Sequence, residues 1–379
     1  MKLLVQGWLG FNHSYALVNQ YQLLELYKKD IELFHNHLPN DFGWNIQKNN
    51  HGLSADDFQT LQGIQSAKLE NNFDIEYRIS YPYRIYPSAA KKLFVFGTSE
   101  YQHIDSSFFF GGTLDSFNND SMNIITPSYW SSLGFLKAGI DPSRIQVVPH
   151  GVNTKIFNPE NKSFQKEIRN ALNLSEEHFV LLSMGAMTRN KGIDILIIAF
   201  MILRKKYSHI RLVLKDLSLL YSISAQTIIE SLRDSIFREY FNEDYLHEII
   251  FISKNLSLHE LSKLYASVDC YVSPYRAEGF NLTPLEAVAC GVPILVTKGG
   301  ATDEYFHASM GDQIEGEKTH EKDFTWIEPN IHSLIDKISM FIEGGCNSYD
   351  FHQSLNIIQK RFTWSEVTNQ LLCVMKNKL

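Results

Sequence analysis

Glu278 to Glu286 reads EGFNLTPLE, two carboxylates eight positions apart around a Gly-Phe pair and a Thr-Pro pair. A local account covers the second acid. Thr283-Pro284-Leu285-Glu286 fits a capping box, with Thr283 as N-cap, Pro284 at the first helical position and Glu286 reaching back from the third. The apolar run that follows stops at Gly291, as a C-terminal glycine predicts. This account leaves Glu278 and the Gly279-Phe280 pair unexplained.

The surroundings of the turn set the fold class. Apolar runs at 179–185, 210–215, 248–253, 270–274 and 293–297 read as strands separated by helical stretches. EGFNLTPLE is the connection after the fourth of them. The same alternation occupies the first part of the chain. KLLVQ opens as a strand, a polar turn follows, and SYALVNQYQLLELY carries apolar residues at helical spacing. Further strand candidates are Ile31–His35, Ile75–Ile79, Leu93–Phe96, Ile124–Thr126 and Ile145–Val148, with Ser128 capping a helix that ends at Gly139. Such alternation implies an α/β protein with parallel sheets covered by helices on both faces. Residues 38–72 are polar and Gly/Asn-rich and read as an excursion or loop, and 152–164 as an interdomain linker. The quoted turn therefore sits at the carboxyl end of a parallel strand, the edge where such sheets bind ligands.

At that edge a helix N-terminus presents unpaired N–H groups and partial positive charge, which suits a phosphate. Gly279 lets backbone approach a ligand, and the amides of Asn281–Thr283 can point at it. Glu278 and Glu286 would flank the anion and suit hydroxyl-rich groups beside it. The combination describes a sugar nucleotide, with the capping box as the competing reading.

Composition narrows the function class. The 379 residues suffice for two domains, the net charge is −7, and neither half is basic, which argues against nucleic-acid partners and for at most peripheral membrane contact. Cys270, Cys290, Cys346 and Cys373 have neither disulfide-framework nor zinc spacing and read as reduced thiols of a cytoplasmic protein. The start MKLLVQGWLGF lacks a signal-peptide pattern, and the longest apolar run, Ile195–Leu203, is half a membrane span. H-N-H at 35–37 is weak evidence for a metal and reads as loop. Neither half carries G-x-G-x-x-G after its first strand, which disfavours a dehydrogenase.

EGFNLTPLE resembles the E-x7-E motif of glycosyltransferase family four, retaining and metal-independent enzymes of GT-B fold. GAMTRNKG (185–192) is similar to the family's phosphate-binding G-x5-K-G segment, VVPHGVN (147–153) to its pre-linker strand and turn, ITPSYWSS (125–132) to its P-S strand end, and LEAVACGVPILVTKGGATDEYF to the run after the motif. The resemblance covers most of residues 120–310 and the final helix. It implies two Rossmann-like, doubly wound parallel-sheet domains facing a central cleft: an acceptor-binding domain at 1–157, a sugar-nucleotide domain at 158–355, and a helix at 356–379 crossing back to the first domain. Lys191 would contact the donor diphosphate, the backbone of Gly279, Phe280, Asn281, Leu282 and Thr283 would hold the phosphates, and Glu286 the ribose. Glu278 would touch the transferred sugar or groups beside the leaving phosphate, and Gly10 would let the first domain approach the diphosphate. The family often has Arg after the first glycine of G-x5-K-G. Here that position is Ala186, and Arg189 is the candidate to supply the charge. On the acceptor side the candidates are His13, Glu100 and His103.

The function implied is transfer of a hexose-type sugar from a nucleotide-diphosphate donor, UDP-sugar ahead of GDP-sugar, to a hydroxyl of a sugar, glycolipid, protein or small molecule. The absence of any D-x-D triplet fits a site needing neither metal nor other cofactor. A non-catalytic sugar-nucleotide-binding protein is the alternative from another class; a nucleotide-sugar epimerase or a glycan phosphorylase are enzyme rivals.

Overall fold

Runs rich in Val, Ile, Leu and Phe become the strands, because both faces of a parallel sheet are buried. In the computed structural model, which describes residues 1–11, 13–39, 53–68, 71–118, 121–221, 223–234, 238–345 and 348–379, the first eight are β1 (Lys2–Gly7), β2 (Glu32–His37), β3 (Ile75–Ile79), β4 (Tyr83–Arg84), β5 (Lys92–Phe96), β6 (Phe109–Phe110), β7 (Met122–Thr126) and β8 (Ile145–Val147). The short β4 and β6 pair with each other, and the remaining six form a parallel sheet in the order β2-β1-β3-β5-β7-β8. The next six are β9 (Phe179–Gly185), β10 (Ile210–Asp216), β11 (Ile249–Ile252), β12 (Cys270–Ser273), β13 (Ile294–Thr297) and β14 (Gly311–Ile314). They form a second parallel sheet, ordered β11-β10-β9-β12-β13-β14. An antiparallel hairpin, β15 (Gly316–Glu321) with β16 (Phe324–Pro329), follows.

Three expectations change. Residues 35–37 lie inside β2 and are not loop: His35 is buried against Asn19, and His37 Nδ1 accepts from the Leu9 amide. Within the polar excursion, Ala55–Gln62 is a helix capped by Ser54, whose Oγ accepts from the Asp57 amide at 3.1 Å; positions 40–52 and 69–70 of that excursion lie outside the described residues. The compact units are Met1–Gly151 with Arg361–Leu379, and Val152–Lys360, so the divisions fall at 151/152 and 360/361 where 157/158 and 355/356 were expected. The later division moves because the helix Phe351–Arg361 is bound into the second unit. There, Ser354 Oγ donates to the Ser309 carbonyl at 2.7 Å, and Phe351 packs over Gly291.

The last helix, Trp364–Asn377, begins with Thr363, whose Oγ1 accepts from the Glu366 amide at 3.3 Å. Val367, Leu371 and Met375 recur at helical spacing and are fully buried. The helix belongs to the first unit, where the Trp364 and Tyr21 rings stack with centroids 5.2 Å apart. Cys270 and Cys290 are buried thiols and Cys373 an exposed one; Cys346 lies outside the described residues. Among the described residues no helix is long and apolar enough to cross a membrane.

Two substitutions probe this seam. A Cβ at Gly151 would lie 2.6 Å from the Trp364 backbone nitrogen, so Gly151→Ala forces backbone apart and should cost about 1–3 kcal/mol. Trp364→Ala removes a buried ring and should cost about 3–5 kcal/mol. Urea titration followed by tyrosine fluorescence reads both as a lower midpoint; an unchanged midpoint in either variant contradicts the packing described.

Candidate functional site

The helix that follows the EGFN turn starts earlier than its sequence suggests. It spans Leu282–Ala289, and its N-cap is Asn281, at φ 67° and ψ 77°. Asparagine tolerates this left-handed conformation better than most residues. Three contacts hold it there: Asn281 Nδ2 donates to Ser273 Oγ at 2.9 Å, the Asn281 carbonyl accepts from Tyr305 Oη at 2.8 Å, and Thr283 Oγ1 accepts from Tyr271 Oη at 2.7 Å. Phe280 packs beneath, its ring 5.1 Å from that of Tyr305.

The expected capping box at Thr283–Glu286 is therefore absent. With Asn281 as N-cap, Glu286 is the fifth helical residue, too far along to reach back to the start, and no side chain caps this helix. The helix Leu258–Ala266 shows what a capping box looks like here. Its Ser257 Oγ accepts from the Glu260 amide at 3.2 Å, and Glu260 returns the bond at 2.8 Å. Glu286 instead accepts from Tyr265 Oη at 2.9 Å. Protein surrounds its carboxyl closely although the residue keeps part of its surface open, and burial pushes its pKa up to about 8. Tyr265, buried beside that carboxylate, is held well above the ordinary tyrosine range.

Two chain segments meet at this turn. Gly192, at φ 68°, ends the 185–192 loop, and a Cβ there would sit 1.9 Å from the Pro274 carbonyl oxygen. Only glycine permits that approach, which sets Lys191 beside the residues after β12. Lys191 Nζ is ion-paired with the buried carboxylate of Glu278, and the Lys191 stem passes over Gly185. Asn190 joins the segments: its carbonyl accepts from the Arg276 amide at 2.6 Å, and its side-chain nitrogen donates to the Ala277 carbonyl at 3.1 Å. Arg276 completes the joint. Its guanidinium donates to the Arg189 carbonyl, to both Asp194 oxygens and to Glu328 of β16, each at 2.8 Å. Although burial works against the charge, these two carboxylates hold the arginine pKa above its ordinary value. Sequence reasoning did not find Arg276 or Asn190, since one partner of Arg276 lies on a strand 52 residues away.

Arg189 is exposed, with its guanidinium carbon 5.7 Å from the Trp326 ring centroid of β16. Its side chain is turned to the hairpin. In the first unit, Gly10 has φ 90°, open space beside it and an amide donating to Gln20 Oε1 at 2.8 Å. His13 is the N-cap of the helix Ser14–Tyr27, its Nδ1 accepting from the Tyr15 amide at 3.1 Å. Burial lowers its pKa to about 4, so it is neutral near pH 7. The Glu100 carbonyl accepts from Trp130 Nε1 at 2.7 Å, and His103 Nε2 lies 3.0 Å from Asp105. Among the described residues, no three His, Cys, Asp or Glu side chains group as metal ligands would.

Two six-stranded parallel sheets, one carrying this turn at its carboxyl edge, define a GT-B fold. The whole chain superposes on glycosyltransferases of that fold. The Anabaena protein Alr3699/HepE, solved with UDP and glucose, matches with a TM-score of 0.65 at 18% identity over 99% of both chains. A Rickettsia africae glycosyltransferase matches with a TM-score of 0.71 at 13% identity over 100% of this chain and 98% of the other. Residues 164–347 match the family model for glycosyl transferases group 1. Among curated relatives, a D-inositol 3-phosphate glycosyltransferase of Paenarthrobacter aurescens is 30% identical over 47% of this chain and 41% of its own length. The mannosylfructose-phosphate synthase of Agrobacterium fabrum is 25% identical over 63% of this chain and 49% of its own. The chain thus spans between two fifths and one half of the length of these relatives.

The raised Glu286 pKa gives a signed prediction. A carboxyl whose pKa rises from 4.5 unfolded to about 8 folded binds its proton more tightly when folded. Its ionisation therefore lowers stability progressively as pH climbs through that window. Glu286→Gln removes the titration, so its melting temperature, relative to the parent chain, should rise between pH 5 and pH 8. A parallel pair of melting-versus-pH curves sinks the assignment.

Proposed function

We propose that this protein is a retaining, metal-independent glycosyltransferase. It moves a hexose-type sugar from a nucleotide-diphosphate donor, UDP-sugar in preference to GDP-sugar, to a hydroxyl acceptor in the cytoplasm. The observation that carries this reading is the pairing of Lys191 with the buried Glu278 carboxylate beside a helix start that no side chain caps. An ammonium and uncapped amides at one sheet edge suit a diphosphate. The E-x7-E resemblance and the UDP and glucose named with the Anabaena neighbour support the donor class.

Cleaving a sugar–phosphate bond leaves negative charge on the diphosphate and oxocarbenium character on the sugar. Lys191 and the first-turn amides of Leu282 and Thr283 answer the first. Once a phosphate takes Lys191, Glu278 is released to hydroxyls of the departing sugar. Glu286 would accept from the ribose. Retention follows from the resemblance, and the fitting route is a same-face displacement in which the leaving phosphate takes the acceptor's proton. Ala186 leaves this site without the arginine that the resemblance implies at that position, and Arg189 is exposed, which favours slow turnover. The same two residues make a non-catalytic sugar-nucleotide binder the second reading.

Incubation with radiolabelled UDP-glucose and UDP-galactose, followed by chromatography of released or transferred sugar, separates the two. Turnover should survive EDTA, and Lys191→Ala should lower kcat by about 10²–10³-fold. Glu278→Gln should lower kcat more than it raises KM. Tight UDP binding with no turnover would favour the binder. Turnover lost to EDTA, or unchanged in both variants, overturns the site assignment.

A further inference from the structure

The geometry points to Lys215 as a phosphate-binding cation of the nucleotide edge, a position outside every motif named above. The inference rests on the donor reading just given. Lys215 is the penultimate residue of β10 and is 3% exposed. It pairs with Met184 on β9, and the next pair in the ladder is Asp216 with Gly185, the last residue of β9, from which the chain runs on to Lys191 and Gly192. Leu212 and Leu214 face one core cluster. By strand alternation Lys215 faces the opposite side. Tyr271 shares that side, and its hydroxyl reaches Thr283 in the first helical turn.

The ammonium is poorly satisfied. Among the described residues its recorded acceptor is the carbonyl of Asp216, the last residue of the strand, so the amine curls toward the carboxyl edge. The Asp216 carboxylate is engaged elsewhere, accepting from the Ser218 amide at 3.1 Å, Ser218 Oγ at 2.7 Å and Ser253 Oγ at 2.9 Å. No carboxylate lies within ion-pair distance of Lys215 among the described residues. A buried ammonium with one neutral acceptor costs folding free energy, and such a cost persists where an anion repays it. Burial accordingly lowers the lysine pKa, against the pull of the neighbouring Asp216 charge.

A neutral hydroxyl or a base carbonyl would not balance a whole charge, whereas a phosphate oxygen would. The same edge already carries Lys191, and Ala186, the residue that follows β9, brings no cationic side chain to it. Lys215, one strand over, restores a second positive charge from a residue type and position that sequence motifs do not flag.

Titration calorimetry with UDP, with GDP and with uridine tests this on the full chain. Lys215→Met should weaken UDP about ten- to a hundredfold and leave uridine within twofold. Its melting temperature without ligand should be equal to or above that of the parent chain, because an apolar stem replaces a buried charge. Lys215→Arg should keep most of the affinity. If the Met variant fails to fold, Lys215→Gln carries the same comparison. A parent chain that binds UDP beside a Met variant with unchanged UDP affinity overturns the assignment of Lys215 alone. So does an equal loss with uridine, which would place Lys215 at the nucleoside. A parent chain that binds neither UDP nor GDP overturns the donor reading itself.

Discussion

One buried guanidinium holds the candidate site together. Arg276 lies between Asp194 and Glu328 and also takes the Arg189 carbonyl. It thereby fixes three segments that are far apart in sequence: the loop before Lys191, the turn before Glu278 and the hairpin strand β16. Arginine suits this joint because its planar fork serves several oxygens at once, which a lysine cannot. Removing one partner of a fully buried ion pair costs about 3–5 kcal/mol, and less here because Asp194 and Glu328 are partly exposed. Here much of that loss would fall on the alignment of Lys191 with Glu278, since Arg276 is two residues from one and its acceptor Arg189 two residues from the other.

The same joint explains why glycine occupies position 192. The carbonyl of Pro274 fills the space a side chain would need. A larger residue would push the Lys191 loop off the turn and stretch the Asn190 bonds to Arg276 and Ala277. Backbone conformation, close approach and ion pairing therefore support one arrangement.

Much of the fold was legible because parallel strands announce themselves as short apolar runs. β9 and β3 fall on the residues that hydrophobicity marks, and the helix Ser14–Tyr27 spans its apolar period. What was not legible depends on distant partners. Thr-Pro-Leu-Glu has the letters of a capping box, yet Asn281 starts the helix two residues sooner because Ser273, Tyr305 and Tyr271 hold the turn from outside the window. The β15–β16 hairpin is polar and Lys/Glu-rich, and its role appears only through Trp326 and Glu328 at the site. His13 shows a local role that its place near a turn does not announce: its Nδ1 caps the helix Ser14–Tyr27.

The Lys191–Glu278 pair also bears on how such a site stays folded when empty. Two opposite charges at a largely buried edge are each costly alone and tolerable together. On the proposed reading, a donor diphosphate replaces one partner of Lys191 by another anion, so the lysine exchanges a carboxylate for a phosphate at little net cost. Glu278 is then the group left short, with its side chain only 6% exposed. It must find donors from the ligand, and a hexose carries several hydroxyls where a bare nucleoside diphosphate carries none beyond its ribose. Selectivity for the sugar-bearing nucleotide over the spent one would then arise from an acid whose own partner the substrate has taken.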